Sequence, residues 1–355
     1  MRNRKKKTYI NPEESFESTP NFRYKDSLIN DNYDDYFIND SFEVYYSYQN
    51  YNEIMIVSPN KDNEIRIKRL KDKKIIKILK GHSAHVCHVR HFFNPKTQID
   101  YLLSIDDDKV LNIWDLSNNY NTKQSLKLNY NNIYSALLVF DIQNDYIITS
   151  TYNKENLAED FTKIFSLENS KFIRNIPDTS INKTYYLLEW TNPNDNQIYI
   201  IDFCIGKILI NKLSEEEKYA ELKSNVNFES ALTYYRGCIL GKNNDQLCAL
   251  SEGGYIHIWD LISLNLIHTI IINNGQLNTL LKWSDRYIIV SDKKDHSFYV
   301  IDVIDQQVNS KINKHTKGFI KSFKKIIHPL FGDCLITCSH ASFIQLWTLP
   351  QNFNL

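Results

Sequence analysis

The chain has 355 residues, and its 42 Lys plus Arg balance its 42 Asp plus Glu at zero formal net charge. That balance argues against a dedicated nucleic-acid binder, which carries a basic excess, while the length suffices to bury a large core. No apolar run approaches the ~18 residues of a membrane helix, and six cysteines without a CxxC pair suit reduced, buried thiols in a cytosolic protein.

Residues 1–21 read as a polar tail, opened by the basic cluster Arg2-Asn3-Arg4-Lys5-Lys6-Lys7. The cluster reads first as a solvated terminus, with a nuclear-localisation signal or a phosphate-binding arm as the other readings. Residues 22–355 read as one domain of short strands, because apolar and polar residues alternate with period two. The strands are expected in groups of four. The first group is 42–46, 54–57, 65–70 and 74–79; the second is 86–93, 101–105, 110–116 and 124–128. The third is 136–140, 146–150, 162–167 and 172–176, with an insertion at 152–160; the fourth is 185–190, 198–203, 207–213 and 219–222. Then come 230–235, 247–250, 255–261 and 266–271, followed by 277–283, 287–291, 297–303 and 308–312. The last group has 319–327, 334–338 and 343–349.

Every third strand of a group ends on one pattern. Val110-Leu111-Asn112-Ile113-Trp114-Asp115-Leu116 is copied at Tyr255-Ile256-His257-Ile258-Trp259-Asp260-Leu261 and, more weakly, at Phe343-Ile344-Gln345-Leu346-Trp347-Thr348-Leu349. The Trp position is held in turn by Lys68, Trp114, Phe165, Asn211, Trp259, Ile301 and Trp347, in steps of 42 to 51 residues. A four-stranded propeller blade takes about 40–45 residues, so seven such strands predict an all-β, seven-bladed β-propeller. With Trp-Asp closing the strand, the repeat resembles the WD40 family.

The resemblance implies a ring closed by its own ends. Only eight residues follow Trp347, too few for an outer strand, so an N-terminal strand near residues 23–29 is expected to supply it. It also implies a buried hydrogen-bond chain in the best-formed blades. In blade two that chain is His82, Ser104, Asp108 and Trp114. Blade seven keeps His315, Thr337 and Trp347 but has Ala341 for the Asp. Blade five has Ala249 and Gly253 at the middle positions, and blade six keeps Ser291 and Asp295 but has Ile301 for Trp. The chain's role is structural, since buried polar groups need partners.

Several chemical readings are weak. His82, Ser83, His85, Cys87, His88 and His91 form a His/Cys-rich stretch, but it enters a strand where successive side chains alternate faces, so no metal site is expected. Asp106, Asp107 and Asp108 lack the spacing of a Ca²⁺ loop. Neither GxSxG nor GxxxxGK[ST] occurs, and no catalytic residue or cofactor is expected. Tyr235-Arg236-Gly237 lacks one arginine of the Phe-Arg-Arg-Gly motif of phosphoinositide-binding propellers, and reads as a strand end.

The expected function is a non-enzymatic protein–protein scaffold or adaptor in a multiprotein complex, monomeric within it and cytoplasmic, without membrane insertion. In WD40 proteins partners dock on the rim and top face. The matching positions are His85, Asp107, Glu252, Lys294, Lys317 and His340, with Tyr152, Lys154 and Glu155 on the insertion. The alternative is a small anionic ligand in the central channel, where Arg90, His91, Arg236, Lys321 and Lys324 are the charged exceptions on apolar inner strands.

Overall fold

The computed structural model describes residues 20, 22–29, 42–47, 53–60, 62–128, 132–152, 161–176, 184–216, 218–223, 233–272, 275–313, 318–339 and 344–349. The four positions 154, 155, 317 and 340 of the expected docking surface lie outside them, as do most of the tail, His315 and Ala341.

Among the described residues, twenty-eight strands form seven four-stranded antiparallel sheets. The first strand, β1 (Arg23–Ile29), belongs to the last blade. Blade one is β2 (Glu43–Tyr46), β3 (Ile54–Pro59), β4 (Ile65–Arg69) and β5 (Ile75–Leu79). Blade two is β6 (Val86–Asn94), β7 (Ile99–Asp106), β8 (Val110–Asp115) and β9 (Asn121–Lys127). Blade three is β10 (Asn132–Phe140), β11 (Asp145–Tyr152), β12 (Thr162–Ser166) and β13 (Phe172–Asn175). Blade four is β14 (Thr184–Thr191), β15 (Ile198–Cys204), β16 (Ile208–Lys212) and β17 (Lys218–Leu222). Blade five is β18 (Tyr234–Leu240), β19 (Gln246–Ser251), β20 (Tyr255–Asp260) and β21 (Leu266–Ile271). Blade six is β22 (Leu277–Lys282), β23 (Tyr287–Asp292), β24 (Phe298–Asp302) and β25 (Gln307–Ile312). Blade seven is β26 (Ile320–His328), β27 (Gly332–Ser339) and β28 (Ile344–Thr348), completed by β1.

The closing strand pairs antiparallel with β28, placing Arg23 opposite Thr348 and Ile29 opposite Ile344. Phe22 anchors its entry, with its ring edge-on to Trp283 at 4.8 Å. The second strands are buried on both faces, as Ile54–Pro59 is throughout, because a neighbouring blade covers each side. Outer strands such as Asn121–Lys127 are largely exposed. The apolar core is therefore divided among the blade interfaces. Met55, Val57 and Ile67 of blade one pack on Val89, Leu102 and Trp114 of blade two. The ring closes where Phe42, Ile54 and Ile56 of blade one meet Ile326, Ile336 and Ile344 of blade seven.

The Trp position has a structural meaning that the spacing alone does not reveal. The pairing of third and outer strands shifts register immediately before Lys68, Trp114, Phe165, Asn211, Trp259 and Ile301. Each of the first six blades thus has a bulge at that residue, which bends the outer strand and strengthens its twist.

One strand lies elsewhere than expected. The inner strand of blade five is not 230–235 but Tyr234–Leu240, and Arg236-Gly237 falls inside it rather than at its end. Glycine weakens a strand and reads as a terminus. Here it is required by packing, since a Cβ on Gly237 would stand 2.3 Å from the Phe203 ring of blade four.

Candidate functional site

The best-defined polar constellation spans three strands of blade two. His82 precedes β6, Ser104 lies on β7 and Trp114 on β8. The Trp114 Nε1–H donates to Ser104 Oγ at 2.8 Å, and Ser104 Oγ stands 2.7 Å from His82 Nε2. The far ring nitrogen, Nδ1, is 2.9 Å from Asp106 Oδ2. Burial pushes the His82 pKa down despite Asp106, so the ring is neutral at pH 7. It then donates from Nδ1 to the carboxylate and accepts the serine proton at Nε2, a fully satisfied relay. Asp106 Oδ1 also accepts the Val110 backbone N–H at 2.8 Å, tying the relay to the turn. Gly81 is needed beside it: its φ is +151°, and a Cβ would stand 3.3 Å from the Trp114 ring.

The carboxylate is Asp106, not Asp108. Asp108 is exposed, and its Oδ2 lies 3.4 Å from the Ser83 hydroxyl. Counting a fixed offset back from Trp114 points at Asp108. The chain, however, turns at residues 107–109, and only Asp106 still belongs to the strand that faces His82.

The other blades solve the same problem with different side chains. In blade seven the Trp347 Nε1–H donates to Thr337 Oγ1 at 3.0 Å. In blade five, where Ala249 stands opposite His257, the imidazole comes from the third strand. His257 is wholly buried, with Nε2 3.2 Å from Ser251 Oγ and Nδ1 3.2 Å from Thr269 Oγ1, and burial pushes its pKa down to about 4. In blade six Ser291 bonds across to blade seven, at the Ile320 carbonyl, 3.2 Å. Its neighbour Asp295 serves its own turn, accepting the Ser297 backbone N–H at 3.1 Å and pairing with Lys311.

Blade four departs furthest. Asp202 occupies the ladder position of Ser104: it pairs with Leu187 and Leu209, as Ser104 pairs with Val89 and Asn112. Its carboxyl is fully buried and receives the Thr162 hydroxyl of blade three at 2.6 Å and the Asn211 amide at 3.4 Å. Burial pushes its pKa up to about 7, against both hydrogen bonds. Nothing in the spacing of the repeat signals this residue except its place nine before the Trp position instead of ten.

His91 and Cys87 of β6 have separate partners. His91 stacks on Tyr45 at 4.6 Å and contacts Asp100 at 2.8 Å, while the Cys87 thiol reaches the Ile105 carbonyl. Among the described residues no group of three His, Cys, Asp or Glu side chains is arranged to hold a metal ion.

Of the expected docking residues, Asp107, Glu252 and Lys294 are exposed on the turns between second and third strands. His85 is half-buried, with Nδ1 3.8 Å from Asp107 Oδ2, and these two are brought together. Glu252 opens a single 3-10 turn, Glu252–Gly254. Tyr152 ends β11, and its side chain is outside the described set. Consecutive strands run in opposite directions, so the first-to-second and third-to-fourth turns share the opposite face. There the described turns expose large apolar residues: Ile142 at 91%, Leu330 at 73%, Ile304 and Ile262. The sequence reading did not anticipate that face.

Comparison with known proteins agrees on architecture. No family model matches the chain, and no curated protein matches it. Among solved structures, the β-propeller domain of Myceliophteria thermophila Cps50 (Swd1) superposes with a TM-score of 0.68 at 14% identity, covering 93% of this chain and 100% of that one. Seven sheets in a ring closed by β1, with the Trp residues at bulges, make this chain a seven-bladed β-propeller.

Proposed function

We propose that the chain is a non-enzymatic interaction platform, a scaffold or adaptor that holds one or more proteins in a complex while remaining a single propeller itself. The observation that carries this reading is the difference between its two turn faces. One presents charge at Asp107, Glu252 and Lys294; the other presents apolar bulk at Ile142, Leu330, Ile304 and Ile262. A stiff scaffold positions such turns without paying to order them at each encounter. Two chemically distinct faces suit two partners at once, one held by charge and one by apolar contact. Cytoplasmic residence is part of the proposal, with the basic cluster at residues 2–7 as a route to the nucleus. No helix among the described residues is long and apolar enough to cross a membrane.

The test is affinity capture of the full chain from its native cell at low and high salt, with quantitative mass spectrometry. Expected are near-stoichiometric partners in two classes. One class is lost at high salt and in the Asp107→Lys/Glu252→Lys variant. The other survives salt and is lost in Ile142→Asp/Leu330→Asp. Absence of any stoichiometric partner, or partners indifferent to both variants, overturns the reading.

A further inference from the structure

Two cysteines of blade five face each other. Cys238 of β18 stands directly opposite Cys248 of β19 in the antiparallel ladder. The Asp245 carbonyl points at β20, where it accepts the Leu261 N–H. Cys248 lies an odd number of residues further on, so its own backbone groups point at β18. Its carbonyl oxygen accordingly lies 2.8 Å from where a Cβ on Gly237 would stand. Such a hydrogen-bonded pair holds its Cα atoms ~5.5 Å apart, inside the range of about 4.4–6.8 Å that a disulfide spans. The other cysteines have no such partner. Cys204 stands opposite Thr184, while Cys334 and Cys338 of β27 stand opposite Ile326 and Ser322. Cys87 falls within a register shift of β6.

Both members of the pair are free thiols in the apolar cluster between blades five and six. Cys248 is wholly buried, whereas Cys238 is half-buried and open to a small reagent. A hydrogen bond with Cys238, then burial, hold the Cys248 thiol well above its ordinary range. A protonated thiol is a poor nucleophile, so the first reaction falls to Cys238.

We propose that Cys238 and Cys248 are a reversible redox site, which closes to a disulfide by exchange with a small soluble disulfide such as oxidised glutathione. The Cys238 thiolate attacks one sulfur of that molecule. Its S–S bond breaks, and one half leaves as a thiol. Cys248 then loses its proton and attacks the Cys238 sulfur of the mixed disulfide, releasing the second half. The protein gives up two electrons and two protons, and the small disulfide becomes two thiols. Opposed Cβ atoms in a sheet sit about 4.5–5.5 Å apart, and a disulfide prefers about 3.5–4.5 Å, so closure draws β18 onto β19. A bond formed against that pull is readily reduced again. This suits the cytoplasmic residence proposed above, where lasting disulfides are rare and transient ones report redox state. The site goes beyond the platform reading and shares none of its residues.

The folded, reduced full chain is incubated with oxidised glutathione, alkylated, digested with trypsin without reductant, and weighed. Trypsin cuts after Arg236, Lys242 and Lys282, so the two cysteines fall on separate peptides. Expected is peptide 237–242 linked to 243–282, lighter than their sum by two hydrogen atoms, and lost on treatment with dithiothreitol. Cys248→Ser should trap glutathione on Cys238, and Cys238→Ser should take up none at Cys248. Both thiols still alkylated after prolonged excess oxidant overturns the proposal, as does equal glutathione uptake by the two variants. Should the serine variants fail to fold, the wild type decides. The linked peptide must form while Cys87, Cys204, Cys334 and Cys338 stay unlinked and the circular dichroism spectrum stays native. Links spread among all six cysteines, the mark of oxidation through unfolding, overturn it.

Discussion

Blades two and four place a polar side chain at the same ladder position and reach opposite electrostatic outcomes. In blade two Ser104 is a small hydroxyl that both donates and accepts, linking Trp114 to His82 and on to Asp106, whose charge sits at the turn. In blade four Asp202 puts a carboxyl where the serine would be, with Asn211 at the Trp position and a hydroxyl from the neighbouring blade as its shortest bond. The first arrangement leaves every described member partnered. The second buries a titratable group whose pKa stands at about 7. A repeat can thus keep its geometry while exchanging a tie weakened by acid, through a buried imidazole, for one weakened by base, through a buried carboxyl.

The largest effect should come from removing the indole that organises blade two. Trp114 is 2% exposed and packs beside Leu102 of its own blade and against Tyr45 and Ile67 across the interface with blade one. Trp114→Ala should cost about 3–5 kcal/mol from lost burial and the cavity left behind, read as a shift in urea midpoint at constant slope. A loss under about 1 kcal/mol would mean that the indole does not organise blade two.

Blade four should respond to pH instead. Asp202 binds its proton more tightly folded, at about 7, than the ordinary 3.8 expected of the unfolded chain. Between those values the folded carboxyl holds the extra proton, so the contribution of Asp202 to stability is greatest below about pH 4 and is lost as pH rises through 7. At about 1.4 kcal/mol per pH unit, Asp202→Asn should stabilise the chain by roughly 2–4 kcal/mol at pH 8 and by little at pH 4. The amide suits the site. Asn211 Oδ1 is a buried acceptor without a partner among the described residues. A turn of the Asn211 amide would let it receive the new N–H. An asparagine variant whose stability runs parallel to the wild type from pH 4 to 8 sinks the account.

A smaller change tests the relay without opening a cavity. Ser104→Ala strips the acceptor from Trp114 Nε1 and the donor from His82 Nε2, both buried, and should cost about 1–3 kcal/mol. Because the imidazole of His82 loses its link to the indole, Asp106→Asn in the Ser104→Ala background should add less than it does alone. Strict additivity would show that the four residues do not act as one unit.

How much of this was legible follows from which effects are local in sequence. The Trp-bearing third strands and the closing strand at Arg23–Ile29 answer to alternation, spacing and room in the chain, and the structure has them there. Asp106 eluded a fixed offset because turn length, not distance from Trp114, decides which carboxylate faces His82. Arg90 and Arg236 were legible as charges on inner strands, but that both guanidinium groups lie over the Tyr186 ring depends on the spacing of blades two, four and five around the ring. Ile142 is a single apolar residue in a polar turn and Leu330 stands between Pro329 and Phe331, and only strand direction reveals that they share a face.

Blade five sharpens the comparison with the smallest expected effect. Spacing shows Ala249 and Gly253 where a hydroxyl and a carboxylate belong, so this blade reads as having lost its relay. Instead His257, two residues before Trp259 on the third strand, is held between Ser251 and Thr269 with both contacts at 3.2 Å. Its low pKa keeps it neutral, so one ring nitrogen donates and the other accepts. Ser251→Ala should therefore cost about 1 kcal/mol, near the usual net value of one hydrogen bond. The imidazole keeps Thr269 and its packing beside Trp259, at 5.3 Å between ring centres. Ser104→Ala breaks two bonds in a relay that runs on to Asp106, and Ser251→Ala breaks one bond of a pair. If the two variants lose equal stability in the same urea titration, the number of linked partners is not what distinguishes the blades. The packing of Trp114 and Trp259 would then have to carry the difference assigned to the polar chain.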